Sequence, residues 1–338
     1  MGERLLTVKN LKTYFSLASG VVKAVDGVSF TLDKGEILGI VGESGCGKSV
    51  TASSIIRLLP PKIGNIVDGE ILFEDRDVRN FSGKELLDFR GHDISMIFQN
   101  PMTSLDPVFK IGTQMVEMIK THHHEIGREE ALKMSIEALR KVGIPNPESR
   151  IHSYPYELSG GMCQRVLIAM AICCEPKMMI ADEPTTALDV TVQSQVLKLL
   201  RRLQKEKEMA VLLITHNLGI VWEMCDRVMV MYAGKTVEYT TAKELYQNPL
   251  HPYTWGLLDS MPKLSDNTDK RLSAIGGMPP DLRLTGTCCN FYNRCPYASS
   301  ICMEQVPELE EIEPGHFIAC HRQKKENPLE RRQGHEAG

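Results

Sequence analysis

No apolar run among the 338 residues approaches membrane-spanning length. The best candidate, Val166 to Cys174, ends at Glu175-Pro176, and Met1 to Val8 is too short and mixed for a secretory signal. The sequence therefore predicts a chain soluble by itself that meets a membrane only through partners. An excess of basic charge is also lacking. Lys plus Arg is 39 and Asp plus Glu is 43, a net charge of −4, which excludes the broad basic footprint of a nucleic-acid binder. There are no internal repeats and no sustained heptads, which excludes solenoids and coiled coils. A disulfide framework is disfavoured as well: with no signal peptide the ten cysteines belong in a reducing compartment. The length suits about two domains with a sizeable core.

What is present begins with Gly42-Glu43-Ser44-Gly45-Cys46-Gly47-Lys48-Ser49. This is G-x-x-x-x-G-K-[ST], set between an apolar strand candidate, Ile37 to Val41, and a helical stretch from Val50 to Leu59 that Pro60-Pro61 stops. Glycines there let backbone N–H groups converge on phosphate oxygens at a helix N-terminus. Lys48 is placed to reach the β- and γ-phosphates, and the Ser49 hydroxyl to ligate Mg²⁺.

Leu5 to Phe15 and Val21 to Leu32 read as antiparallel strands ahead of this loop. Phe15, or failing it Tyr14, is the candidate to stack on adenine; a core aromatic on a strand fits the pattern equally well. Gly69 to Phe73 and Asp93 to Phe98 are further strands, the second ending at Gln99. Ile111 to Lys120 and Arg128 to Val142 have helical spacing, the latter with Leu132, Ile136 and Leu139 on one face; His122 to His124 between them reads as a solvated loop. Leu158-Ser159-Gly160-Gly161-Met162-Cys163-Gln164 opens a helix running to Cys174, a second potential anion site. Lys177 to Ala181 is a buried strand ending in Asp182-Glu183, where an α/β sheet presents chemistry. Asp189 caps a helix whose apolar face is Val192, Val196, Leu199, Leu200 and Leu203. Met209 to Ile214 is a strand ending at Thr215-His216, and Arg227 to Tyr239 is a hairpin turning at Ala233-Gly234-Lys235.

The order of phosphate loop, Gln99, Leu-Ser-Gly-Gly, Asp182-Glu183 and His216 resembles the ATP-binding cassette (ABC) ATPases, from Leu5 to about Leu258. The resemblance implies an α/β fold: a P-loop core with an antiparallel β subdomain and a helical signature subdomain. The cassette would occupy 1–258, its helical subdomain about 101–165, followed by a cysteine-rich extension at 259–322 and a charged tail at 323–338. The resemblance also implies residue roles. ATP is bound by Gly42 to Val50 with Phe15 or Tyr14. Mg²⁺ is held by Ser49, Gln99 and Asp182. Glu183 is the base, His216 contacts the γ-phosphate, and Ala187-Leu188-Asp189 communicates between paired sites. Ser159, Gly160, Gly161 and Gln164 would serve ATP bound to a second subunit. Two departures stand out: Cys163 replaces a usual arginine, and Cys46 a small residue. Met96 to Pro107 and Asn248 to Leu258 look like the peptide/nickel importers, which carry such an extension. The implied partners are a related second ATPase, two permease subunits and an extracytoplasmic peptide-binding protein, with no nucleic acid, at the cytoplasmic face of the membrane. The alternatives are a nickel or glutathione importer ATPase of the same family, or a soluble non-transport ABC ATPase.

Five cysteines crowd into Cys288 to Cys320, and Cys289, Cys295, Cys302 and Cys320 follow C-x₅-C-x₆-C-x₁₇-C. Structural zinc more often uses C-x₂₋₄-C, which is absent, while thiolates on irregular loops suit an iron–sulfur cluster. The spacing resembles the [4Fe–4S] segment of the peptide importers. Zn²⁺ and free or redox thiols stay open as alternatives, with Cys288 and His321 as substitute ligands.

Overall fold

The computed structural model describes residues 2–186, 188–261, 275–323 and 329. Ala187, nearly all of the expected linker from Met261 to Arg271 and the charged tail, Gln323 and Leu329 excepted, lie outside the described residues. The chain divides into two compact units, one of Met1–Leu6, Leu32–Ile37 and Phe73–Ile214, the other of Thr7–Thr31, Leu38–Leu72 and Thr215–Gly338.

In the first unit Met178–Asp182, buried at all five positions, is the central strand. It pairs in parallel with Ile94–Ile97 (Ile94 opposite Met178) and with Ala210–Thr215 (Asp182 opposite Ile214). Strands of a parallel sheet buried on both faces need apolar side chains at consecutive positions. That is why Met178 to Ala181 and Val211 to Ile214 are unbroken runs. The C-terminal end of the first delivers Asp182 and Glu183 together. Val190–Lys207 starts where the Asp189 carboxylate accepts from Val192 N at 2.9 Å and buries Val196, Leu199, Leu200 and Leu203 of the expected face, with Leu197 buried in addition and Val192 only half-buried.

Arg128–Lys141 differs from the expected face. Its buried residues are Ala131, Ser135, Ala138 and Leu139, with Leu132 and Ile136 on the flank. Small residues let this helix approach both Ile111–His122 and Gly160–Cys173, between which it packs. Nor is the histidine triplet wholly a loop. His122 ends the Ile111–His122 helix with its ring half-buried against Gly91, and burial lowers its pKa.

In the second unit Gly20–Asp33, Arg4–Leu17 and Gly64–Phe73 lie side by side. Ile37–Val41, again buried throughout, pairs in parallel with Arg227–Tyr232. Arg227–Tyr232 turns back into Lys235–Thr241 through Ala233 and Gly234, whose φ values of 46° and 81° give the left-handed pair that a two-residue hairpin requires. The phosphate-loop helix is shorter than expected, Lys48–Ile55, because the chain leaves helical geometry with Arg57 at φ 52° well before Pro60.

The C-terminal segment is drawn into this unit. His316–Ile318 pairs antiparallel with Lys235–Thr241, and Glu310–Glu313 pairs in turn with His316–Ile318. One buried carboxylate ties the join: Glu238, 0% exposed, accepts from Leu250 N (2.7 Å) and His251 N (3.1 Å) and pairs with His316 Nε2 (2.8 Å). Removing one member of such a buried network strands the others. Glu238→Ala is expected to cost about 3–5 kcal/mol in urea unfolding, and an unchanged midpoint would show the network to be dispensable.

Candidate nucleotide site

The second unit holds the phosphate loop. Gly42 and Gly47 are fixed by close approach: a Cβ on Gly42 would lie 2.2 Å from Met231 O, and on Gly47 2.2 Å from Ala24 O. Gly45, at φ 79°, faces open space, so its backbone is free to be approached by a ligand. Gly47 caps Lys48–Ile55, and the hairpin turn supports the loop from behind, Gly234 N donating to Cys46 O at 2.9 Å. Lys48 is 5% exposed; its Nζ donates to Gly42 O (2.8 Å) and Glu43 O (2.9 Å), which holds the ammonium over the loop. Ser44 and Ser49 are exposed. Cys46 is buried and burial pushes its thiol up, so it packs as a neutral group.

Of the two candidate adenine stackers, Tyr14 is engaged, its hydroxyl donating to Asp26 Oδ1 at 2.7 Å. Phe15 is half-buried, with its ring edge 2.9 Å from where a Cβ of Gly64 would stand. His216 is exposed directly after the Ala210–Thr215 strand.

The first unit brings Gln99, Asp182 and Glu183 together. Gln99 Nε2 and Thr186 Oγ1 both donate to Glu183 Oε2 at 2.9 Å, two bonds that fix the direction of the carboxylate. Glu183 has φ 47°, an uncommon conformation for a non-glycine residue, and its N–H is held by Ile214 O at 2.9 Å. Asp182 is 5% exposed. Thr186 was not among the expected site residues; its place three positions beyond the acidic pair is the only signal that could have marked it.

Ser159 caps Gly160–Cys173, its Oγ accepting from Met162 N at 3.3 Å, and Ser159 and Gly160 are exposed. A Cβ on Gly161 would lie 2.6 Å from Val192 Cγ1, so this glycine serves packing as well. Gln164 does not share that exposed face: at 1% exposure it is inside. Cys163 is likewise buried, its thiol raised by burial and directed at Pro155 O, 3.4 Å away.

Sequence reasoning read His251-Pro252-Tyr253 only as a family feature, and the geometry gives it a purpose. His251 Nδ1 accepts from Tyr253 N (3.0 Å) and opens the helix Pro252–Asp259. Burial lowers the His251 pKa to about 4, so it stays neutral. The Tyr253 hydroxyl accepts the backbone N–H of Glu43 at 2.8 Å, which fixes the first turn of the phosphate loop.

The glycine-locked phosphate loop, the oriented strand-end glutamate and a helix that opens at exposed Ser159 and Gly160 are the parts of a cassette-type ATPase. Comparisons with known proteins agree. The ABC transporter family profile matches residues 25–186, and that of the oligopeptide/dipeptide transporter C-terminal region matches 237–302. The chain is 50% identical to the oligopeptide transport ATP-binding protein OppD of Bacillus subtilis, over 93% of this chain and 88% of that protein. It is 48% identical to the dipeptide transport ATP-binding protein DppD of the same organism, over 94% of each. Among solved structures, a dimeric post-hydrolysis state of the ATP-binding cassette MJ0796 bound to ADP and Pi is similar with a TM-score of 0.63 and 25% identity, over 70% of this chain and 99% of that one. The chain belongs to the ABC transporter family, as an ATP-binding subunit of the oligopeptide/dipeptide importer type.

Proposed function

We propose that this subunit binds and hydrolyses ATP to power uptake of di- or oligopeptides through membrane permeases. The observation that carries the reading is the peptide-transporter C-terminal region at 237–302 joined to the oriented Gln99–Glu183 pair. The phosphate loop and Lys48 bind the triphosphate, with Phe15 the better placed of the two aromatics to stack on adenine. Ser49, Gln99 and Asp182 would hold Mg²⁺, which neutralises β- and γ-phosphate charge when bound. Glu183 takes the proton of the attacking water, and His216 steadies the γ-phosphate. Ser159, Gly160 and Gly161 are lent to ATP on a second, related ATPase subunit, with Asp189 in the loop that communicates between the sites. The dimeric form of the MJ0796 cassette supports this arrangement.

No described helix is long and apolar enough to cross a membrane. Membrane association at the cytoplasmic face therefore runs through two permease subunits, fed by an extracytoplasmic peptide-binding protein. Phe98, Val108 and Phe109, 42%, 70% and 52% exposed, give the Gln99 region an apolar surface suited to a permease. Purification of the tagged chain from native membranes should bring down hydrophobic permeases; a ribosome- or DNA-bound species in their place would support the soluble ABC alternative.

The segment Cys289 to Cys320 is proposed to hold a [4Fe–4S] cluster. Its donor set is four free thiols, the sulfur ligands such a cluster takes. Burial raises the Cys289 thiol to about 12 and Cys295 to about 11, with each of the two also pushed up by Cys302 and Cys320 nearby. Backbone N–H groups of Phe291, Tyr297 and Arg322 are directed at Cys289, Cys295 and Cys320, a bond type that stabilises ligating thiolates. Four thiolates on one zinc ion sit about 3.8 Å apart. From Cys289 to Cys302 the cysteines stand on irregular loops broken only by the short helices Tyr292–Arg294 and Ser300–Glu304, which suits the wide ligand spread of a cluster. His321 Nε2 lies 3.0 Å from Gln305 O. Anaerobically purified protein is expected to be brown, and Cys302→Ser to remove most of its visible absorption; colourless protein with one zinc per chain would reverse the assignment.

A further inference from the structure

Between the cysteine-rich segment and the phosphate loop runs a contact that no catalytic role explains. Arg294 is separated from Glu43 by 251 residues, yet its guanidinium donates twice to the Glu43 carboxylate, Nη1 to Oε2 at 2.6 Å and Nη2 to Oε1 at 2.9 Å. The Arg294 side chain is 4% exposed and that of Glu43 27%, so the pair is shielded on one side and reaches solvent on the other. The fork is itself held: Nε donates to Gly276 O (2.9 Å) and Nη1 to the Tyr232 hydroxyl (3.2 Å). Around it, Phe291 packs edge-on against both Tyr232 (5.1 Å between ring centres) and Tyr253 (5.4 Å). A second grip lies on the hairpin turn, where Asn290 Nδ2 donates to Ala233 O at 2.9 Å and Gly234 N reaches Cys46 O.

We infer that Arg294 is a positioning residue for the phosphate loop, through which the C-terminal segment holds Glu43 neutralised and in place for nucleotide binding. The physical reason is charge. Glu43 is an anion inside a loop whose ligand is polyanionic, and a bidentate guanidinium offsets it while fixing its direction. Tyr253 fixes the same residue by its backbone N–H, so Glu43 is clamped at both ends. The inference rests on the nucleotide lying at Gly42 to Ser49.

The test is a titration of the full-length chain with a fluorescent ATP analogue. Arg294→Met should raise Kd about tenfold, a change of about 1.4 kcal/mol, and Arg294→Lys by less. Glu43→Gln combined with Arg294→Met should return Kd to within about threefold of the native value, because the stranded carboxylate is gone. Native affinity in Arg294→Met would overturn the inference, and so would a double variant as weak as the single one. Lys48→Ala separates the two claims: if it binds as the native chain does, the nucleotide site is misplaced; if it does not and Arg294→Met is unaffected, the positioning role alone fails.

Discussion

Replacing Glu183 with Gln is expected to preserve ATP binding and to cut hydrolysis by about 10²–10⁴-fold, the usual contribution of a general base. The substitution keeps the shape of the side chain and an oxygen that accepts from Gln99 Nε2 and Thr186 Oγ1, both 2.9 Å from Glu183 Oε2 in the native chain. It removes only the capacity to take a proton. A variant that binds but cannot turn over should accumulate as an ATP-closed dimer, visible as a doubling of mass by light scattering. Hydrolysis at the native rate in the assembled transporter would take Glu183 out of the base role.

Lys48→Ala should act at the earlier step. The native ammonium is buried and bonded to Gly42 O and Glu43 O at 2.8 and 2.9 Å, poised to exchange those carbonyls for phosphate oxygens. Two charge-assisted bonds to phosphate are worth about 3 kcal/mol together, so the nucleotide Kd should rise about 100-fold. Turnover should fall at low ATP more than at saturation. An unchanged Kd would mean that the triphosphate lies elsewhere.

The parts of the molecule that could be read in advance are those whose physics is local. Gly42 and Gly47 announce themselves because only glycine survives a carbonyl 2.2 Å from the Cβ position, and the loop motif is the record of that constraint. Met178 to Ala181 and Val211 to Ile214 are legible as strands because burial on both faces leaves an unbroken apolar run. Asp189 as a helix cap needs only its own neighbours.

Apart from one local turn, what escaped depends on partners far along the chain. The end of the phosphate-loop helix at Ile55 is set by the turn at Arg57 and not by the prolines. Arg128–Lys141 turns toward its neighbours a face of Ala131, Ser135 and Ala138, because two helices crowd it, and apolar spacing alone favoured the bulkier Leu132 and Ile136. Glu310–Glu313 looks too acidic for a strand; only pairing with His316–Ile318, itself added to the hairpin strand, makes it one. The expected boundary near residue 258 carries no local sign of this pairing, in which His316–Ile318 joins Lys235–Thr241 across it. The Glu43–Arg294 pair is illegible for the same reason: surface-type charges 251 residues apart carry no local sign of meeting.

The central claim is that ATP hydrolysis by this subunit drives peptide uptake. It is tested most directly by measuring ATP hydrolysis by the native transporter complex in lipid vesicles, with and without its peptide-loaded binding protein. The account predicts hydrolysis that rises when the loaded binding protein is supplied and vanishes in the Glu183→Gln complex. Hydrolysis indifferent to peptide and binding protein, or undiminished by Glu183→Gln, would contradict it.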